Sequence, residues 1–360
     1  MVSKARAGGS LIRLAWPDVG PEEVEAIAEV LESGRLTMGP KLAEFEAQLA
    51  RVCGREHAVG VANGTAALHL AVLALGIGEG DEVIVPAYTF PATANVVALV
   101  GAKPVLADVD AKTMNLDLGK VYDAVTPRTK AVIGVHLFGR PLDWEELQNA
   151  VPPDVHLIED AAGALGARWR GMACGGLGEL GCLSFHPRKI VTTGEGGAII
   201  AGSDELNERL RALRNHGQVS EGDFAEPGFN YRLSELHAAI GITQLRRLKE
   251  LLAARARIAD AYTERLRDSV ETPSAEAGDV HGWQAYVVQL DRRDEALAAL
   301  REAGIEAQIG TYALNRQAPY RERGEFPGAD AVFERALALP LHSRLVDADL
   351  DRVVEVIGSV

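Results

Sequence analysis

Short apolar runs rich in β-branched residues alternate with longer segments of helical spacing through the first two-thirds of the chain. The apolar runs cover residues 83–85, 104–106, 131–135, 155–158, 180–185 and 198–200, and the helical segments between them include 65–75 and 144–150. Continuous apolar runs of this length are typical of strands buried on both faces. The pattern therefore predicts an α/β fold with a mostly parallel central sheet flanked by helices.

The pattern changes near residue 240. Segment 240–266 is rich in Leu, Arg and Ala and predicts one long connector helix. Beyond it, the alternation of residues 283–290 predicts a half-exposed strand. Residues 294–303 have helical spacing and predict a helix that ends at Gly304, and 305–311 is a candidate strand. We therefore predict a large α/β domain over 1–240, with 1–10 disordered, and a connector helix with a small α+β domain over 241–360.

Net charge, hydropathy and cysteine content limit the kinds of partner and metal site that we expect for this chain. A net charge of −14 argues against nucleic-acid and anionic-membrane partners, which are bound through clustered Lys and Arg. The chain lacks the run of roughly 18 apolar residues that a membrane span needs. Three cysteines without CxxC spacing argue against disulfides and zinc, and no other set of residues has metal-ligand spacing. A cytoplasmic protein without a metal is predicted.

Asn63 and Gly64 directly precede a helical pattern. Unpaired N–H groups at a helix start attract anions, so a phosphate site is one interpretation. An ordinary N-cap and turn is the alternative.

Two further residues are candidates for chemistry. Asp160 ends an apolar strand, at the edge where open α/β sheets bind ligands. Its carboxylate is suited to pair with a protonated cofactor ring nitrogen, or to serve as a helix N-cap. Lys189 follows the next strand and precedes the glycine-rich segment 192–197. It is either a Schiff-base lysine in a partly desolvated crevice or a solvated surface lysine.

Together these segments resemble the DegT-type family of nucleotide-sugar aminotransferases, which are fold-type I pyridoxal-phosphate enzymes. The resemblance covers nearly the whole chain. It is also carried by GRLTMGP at 34–40, GDEVIVP at 80–86, TF at 89–90, VHLFG at 135–139 and GFNYRL at 228–233.

The resemblance implies a role for each matching residue. Lys189 would form the Schiff base with pyridoxal 5′-phosphate and shuttle the proton, Asp160 would hold the pyridine nitrogen, and Phe90 would stack on the ring. Asn230 would reach the phosphate from the neighbouring subunit, which implies a homodimer with the active site at its interface. The remaining cofactor-binding residues that it implies are Gly64, Thr65, Ala66 and Ser184.

Three positions depart from the family pattern. Gly163 stands where a glutamine usually approaches the cofactor's phenolic oxygen, so a water or another side chain is expected to replace that contact. Arg188 replaces a common threonine and either meets a phosphate or faces solvent, with solvent the favoured interpretation. Asn315 replaces a common histidine, so substrate recognition is predicted to differ.

Substrate contacts are predicted at a small set of positions. For His186, as for His136 and His216, a packed histidine with a satisfied hydrogen bond is an equal alternative. The candidate substrate residues are Thr37, His186, His216, Tyr312 and Asn315.

The predicted function is a ping-pong transamination from glutamate to a keto sugar carried by a nucleotide. Two alternatives on the same scaffold are amination of a keto-cyclitol and sugar dehydration, although the dehydratases replace the lysine found here at 189 with histidine. A catalytically inactive regulatory protein is a third alternative, and the intact Lys189 and Asp160 weigh against it.

Overall fold

The computed structural model describes residues 11–321 and 324–360. The predicted disorder of residues 1–10 lies outside the described residues. The strands, in chain order, are β1 (His57–Val61), β2 (Glu82–Pro86), β3 (Tyr88–Thr89), β4 (Lys103–Ala107), β5 (Thr129–Val135), β6 (His156–Asp160), β7 (Arg168–Trp169), β8 (Met172–Ala173), β9 (Leu180–Ser184), β10 (Gly197–Ala201), β11 (Gln218–Ser220), β12 (Asp223–Phe224), β13 (Tyr286–Gln289), β14 (Gln308–Ile309), β15 (Tyr312–Ala313) and β16 (Ala336–Leu339).

Helices connect these strands. They are α1 (Pro21–Ser33), α2 (Pro40–Val52), α3 (Gly64–Ala74), α4 (Ala92–Leu99), α5 (Leu118–Ala124), α6 (Trp144–Asn149), α7 (Asp204–Arg214), α8 (Glu235–Arg246), α9 (Leu248–Leu266), α10 (Arg293–Glu302), α11 (Pro327–Arg335) and α12 (Asp347–Gly358).

The central sheet has seven strands in the order β1-β10-β9-β6-β5-β2-β4. Strands β4, β2, β5, β6 and β9 pair in parallel, whereas β10 pairs antiparallel with both β9 and β1. The predicted mostly parallel sheet flanked by helices is confirmed. Because β10 runs against its neighbours, its first residue lies at the edge where theirs end.

The sheet is held by apolar burial on both faces. Strands β2 and β10 are buried along their whole length. Helix α3 packs on one face through Leu70, Ala71 and Val72, which are completely buried. Burying a side chain of Leu or Val size stabilises the fold by about 1.5–3 kcal/mol, so this face fixes the start of α3 relative to the sheet.

The single connector helix predicted over 240–266 is wrong, because α8 and α9 are separate helices that meet at Arg247. Arg247 has φ −94° and ψ 3°, which interrupts the helical ladder. Its guanidinium donates to Asp18 Oδ1 at 3.1 Å, and Gln244 Nε2 donates to the Asp18 carbonyl at 2.7 Å. At the break, Arg247 is therefore bonded to a residue more than two hundred positions away.

The C-terminal part contains a small antiparallel sheet in the order β13-β16-β14. A strand forms within the predicted 283–290, but β13 is shorter, and the predicted half-exposure is wrong because all four of its residues are buried. Helix α10 ends as predicted, with Gly304 at φ +74°. The strand proposed at 305–311 is much shorter, and only β14 forms. Ile12 bridges to Ile305, so the first described residues join this part. The domain boundary at 240 stays a prediction.

None of the helices in 11–321 and 324–360 combines the length and apolar character that a membrane crossing requires. Cys53, Cys174 and Cys182 are free and buried.

Candidate active site

A cavity of about 1090 Å³ opens where the parallel strands end. In the sheet register, Val61 lies opposite Gly197, Gly197 opposite Ser184, and Val135 opposite Asp160. The lining comes from the start of α3, the ends of β6 and β9, and residues 308–312 beside the small sheet. Segments far apart in the chain thus meet at one edge, as open α/β sheets bind their ligands.

The start of α3 faces this cavity. Asn63 is an N-cap whose Oδ1 accepts from Ala66 N at 2.8 Å. The amides of Gly64 and Thr65 precede any intrahelical acceptor, and both residues line the cavity. The N-cap and the anion-site interpretations are therefore compatible.

Ser184 completes a cradle beside these amides. A β-carbon at position 64 would lie 2.8 Å from Ser184 Cβ, so the close approach requires glycine. At position 197 it would lie 2.5 Å from the Asn63 carbonyl. Two glycines thus allow α3, β9 and β10 to approach one another closely at this edge of the cavity.

Asp160 is 6% exposed at the end of β6. Thr93 Oγ1 donates to its Oδ2 at 2.8 Å, and Ala162 N donates to its Oδ1 at 3.2 Å. Since a turn and not a helix follows, the N-cap alternative for Asp160 is wrong. The carboxylate lines the cavity in a fixed orientation.

The neighbouring acid, Glu159, has a structural role. It is fully buried, and its carboxylate accepts from the amides of Gly175, Leu177 and Gly178 at 2.5–2.7 Å. His136 Nδ1 accepts from Leu142 N at 3.0 Å, which leaves Nε2 to donate to Glu159 Oε2 at 2.9 Å. His136 is therefore a packed histidine, and Glu159 holds the segment after β8.

Lys189 lines the same cavity and is partly buried. Burial lowers the pKa of its amine below the usual 10.5, and the Asp160 carboxylate opposes this by favouring the charged form. Its backbone N donates to the His186 carbonyl at 2.8 Å. It is a desolvated lysine facing a carboxylate, so the solvated-surface alternative is wrong.

Two aromatic side chains stand in the cavity. Phe90 is 62% exposed, and its ring centroid lies 6.4 Å from that of Tyr312. An exposed aromatic face inside a cavity is suited to stack on a flat ligand. His186 also lines the cavity, and desolvation lowers the pKa of its imidazole.

Four predicted site residues lie away from the cavity in the described part of this chain. Thr37 pairs with Ser234, and Asn230 pairs with Asn215 and is exposed. His216 is an exposed residue at φ +62°, and Asn315 Nδ2 donates to Asp330 Oδ1 at 3.1 Å. Their roles stay predictions.

Several residues of the site were missed from the sequence, among them Thr93, Gln284 and Arg301. Thr93, which orients Asp160, lies 67 positions away from it, and nothing local marks it. Gln284 also lines the cavity, and a β-carbon at Gly163 would lie 3.4 Å from Gln284 Oε1. A side chain from the C-terminal part therefore adjoins the position where the family usually has glutamine.

Among residues 11–321 and 324–360, no group of three or more His, Cys, Asp and Glu could hold a metal ion.

The polar groups that line the cavity suit pyridoxal phosphate. Amides and a hydroxyl form a cradle for a phosphate, a fixed carboxylate suits a protonated ring nitrogen, and an amine of lowered pKa suits Schiff-base chemistry. The positions of Thr65, Asp160 and Lys189 on one cavity make these three requirements compatible with one bound molecule.

Comparisons with known proteins agree with this geometry. Residues 17–358 match the model of the DegT/DnrJ/EryC1/StrS aminotransferase family. The chain is 39% identical to GDP-perosamine synthase of Caulobacter vibrioides, over 97% of this chain and 98% of that protein.

Solved structures show the same fold. The aminotransferase TlmJ from Streptoalloteichus hindustanus superposes with a TM-score of 0.93 at 35% identity, covering 97% of this chain and 98% of that one. The PLP form of Spr1654 from Streptococcus pneumoniae gives a TM-score of 0.93 at 28% identity, with 97% and 98% covered. The chain therefore belongs to the DegT/DnrJ/EryC1/StrS aminotransferase family and is a pyridoxal-phosphate-dependent aminotransferase.

Proposed function

We propose that this enzyme transfers an amino group from glutamate to the keto group of a sugar carried by a nucleotide. The observation that carries the proposal is the desolvated Lys189 facing Asp160 in a cavity of about 1090 Å³. Pockets for drug-sized ligands span about 300–1,000 Å³, so a cavity of this size has room for a large substrate beside the cofactor.

The relatives support the substrate class. The Caulobacter protein is named as a synthase of GDP-perosamine, a nucleotide-linked sugar. We extend that class, a keto sugar on a nucleoside diphosphate, to the present chain.

Pyridoxal phosphate, when bound, supplies the electron sink for the reaction. We assign its phosphate to the amides of Gly64 and Thr65 and the Ser184 hydroxyl, with Ala66 completing the helix start. Asp160, held by Thr93, would keep the ring nitrogen protonated by pairing with it. Phe90 would cover one face of the ring.

We assign proton transfer to Lys189. Its lowered pKa raises the fraction of neutral amine near pH 7, and only the neutral amine accepts a proton. Lys189 Nζ would take the proton from the carbon that bears the donor's amino group, and would deliver one to the sugar carbon in the second half of the cycle.

We also propose a homodimer in which Asn230 of one subunit completes the other subunit's site. Asn230 is exposed and lies away from its own subunit's cavity, which suits a contact across an interface. Three buried free thiols are typical of a reducing compartment, so we place the reaction in the cytoplasm.

The test compares wild type, Lys189→Ala and the control Lys249→Ala, which removes an exposed lysine of α9. Each is loaded with pyridoxal phosphate and mixed with glutamate. We expect the absorbance to show conversion of the cofactor to its pyridoxamine form in wild type and in the control but not in Lys189→Ala. An unchanged wild-type spectrum would overturn the proposal.

To identify the acceptor, the enzyme is tested with keto sugars linked to GDP, UDP and dTDP, and with a keto-cyclitol. We expect amine formation only with a nucleotide-linked sugar. Turnover restricted to the cyclitol would instead support the keto-cyclitol alternative, and loss of water from the sugar without amination would support the dehydratase alternative.

A further inference from the structure

The cavity lining carries more basic side chains than acidic ones. Its lining carries Arg188, Lys189 and Arg301 as bases against Asp160 and Glu195 as acids. Asp160 acts on Lys189, and Glu195 acts on His186. Both acids thus have a neighbour other than the two arginines. The two guanidinium groups thus add positive charge to the cavity lining, although the chain as a whole has a net charge of −14.

Arg188 is oriented by a neutral partner. Its Nη1 donates to Gln308 Oε1 in β14 at 2.8 Å, while the side chain stays exposed. Because the partner carries no charge, the positive charge of Arg188 is not neutralised. The hydrogen bond fixes one edge of the guanidinium and leaves its other N–H groups available to a ligand.

Arg301 approaches the cavity from the last turn of α10 and is exposed. Within 11–321 and 324–360, neither Arg188 nor Arg301 lies within ion-pair distance of a carboxylate. Arg188 follows β9 of the large sheet and reaches β14 of the small sheet through Gln308, whereas Arg301 comes from α10. The cavity lining therefore carries two guanidinium groups in addition to the Gly64–Ser184 cradle.

We propose that Arg188 and Arg301 bind the diphosphate of the nucleotide-linked substrate. The inference rests on the function proposed above, and it deepens that function by naming the residues that recognise the substrate's charge. Guanidinium groups bind phosphate oxygens through paired, charge-assisted hydrogen bonds, and two of them match a group with two negative phosphates. Since Arg188, Arg301 and Lys189 line the same cavity, a substrate whose diphosphate is held by the arginines would have its sugar in the cavity of the reacting amine.

The test measures binding to the cofactor-loaded enzyme by titration calorimetry. The probes are GDP, UDP and dTDP, and the corresponding nucleosides without phosphate. The variants are Arg188→Ala, Arg301→Ala and the pair together, with Arg188→Lys as the conservative change. Arg257→Ala is the control because it removes an exposed arginine of α9 outside the cavity lining.

For the nucleoside diphosphate that wild type binds most tightly, we expect about 10-fold weaker binding in each alanine variant and a larger loss in the double variant. Arg188→Lys should bind with intermediate affinity, and nucleoside binding should not change. Melting curves check that each variant is folded.

Equal diphosphate affinity in wild type and the alanine variants overturns this inference and leaves the proposed function standing. A raised KM for glutamate with unchanged diphosphate affinity also overturns it, since the arginines would then bind the donor's carboxylate. If wild type binds none of the three nucleoside diphosphates, the proposed substrate class fails as well.

Discussion

Gly64 and Ser184 stand so close that a β-carbon at position 64 would lie 2.8 Å from Ser184 Cβ. The separation leaves no room for a methyl group, and it brings the serine hydroxyl beside the first amides of α3. The two residues form the part of the site that depends most strictly on backbone position.

We therefore predict that Gly64→Ala weakens pyridoxal-phosphate binding by about 10-fold, because overpacking of this kind costs about 1–3 kcal/mol. Titration of the apoenzyme with the cofactor, followed by absorbance, measures the dissociation constant. Gly358→Ala is the control, since a β-carbon there meets nothing within 4 Å. Equal affinity in the two variants would show that the cradle does not hold the cofactor.

Thr93 orients Asp160 through a 2.8 Å hydrogen bond. We predict that Thr93→Val, which keeps the shape but removes the donor, lowers kcat by about 3- to 10-fold, the effect of losing one hydrogen bond. The control is Thr263→Val, which removes a similar 2.8 Å contact to Tyr286, because neither residue lines the cavity. If both variants lose activity equally, the Thr93 effect is one of general stability.

The lowered pKa of Lys189 has a consequence for stability. The fold disfavours the charged amine, so below the folded-state pKa the charge costs stability, and this cost disappears as the pH rises through that pKa towards the unfolded value of 10.5. Lys189→Met should therefore raise the Tm of the apoenzyme at pH 7 by about 1–3 °C.

Calorimetry across a pH series measures this gain, which should shrink as the pH approaches that of a free lysine. The exposed Lys249→Met serves as the control and should show little change at any pH. A gain for Lys189→Met that grows with pH would contradict the assigned direction of the pKa.

The proposed role of Asn230 across the dimer predicts complementation. Lys189→Ala and Asn230→Ala homodimers should each be nearly inactive. In a hybrid dimer, one site carries both defects and the other carries neither. Subunit exchange at equal concentrations should therefore restore about a quarter of wild-type activity, since half of the dimers are hybrids with one intact site. No recovery would place Asn230 in its own subunit's site.

Local features of the sequence were enough to locate the main sheet and the residues at its edge. Buried parallel strands appear in a sequence as uninterrupted apolar runs. Asp160 ends one of these strands, and Lys189 follows another. The N-cap at Asn63 is likewise a local signal. Such features depend on neighbouring residues only, so their positions follow from pattern and spacing.

Features that depend on distant contacts were missed. Arg247, where α8 and α9 separate, is bonded to Asp18, and Asp160 at the end of β6 is oriented by Thr93 of α4. Gln284 reaches the wall beside Gly163 only because β13 is placed next to the large sheet. Each of these requires the folded arrangement before its partner can be named.

The two consecutive acids of β6 limit where residues can be inserted or deleted in this chain during evolution. Glu159 anchors the Gly175–Gly178 amides on one side of the sheet, while Asp160 lines the cavity on the other. Because side chains alternate along a strand, an insertion or deletion of one residue within β6 would exchange the two acids and remove both functions together. Length variation should instead be tolerated at the exposed turn around Gly222, between β11 and β12, where the chain can grow without moving either carboxylate.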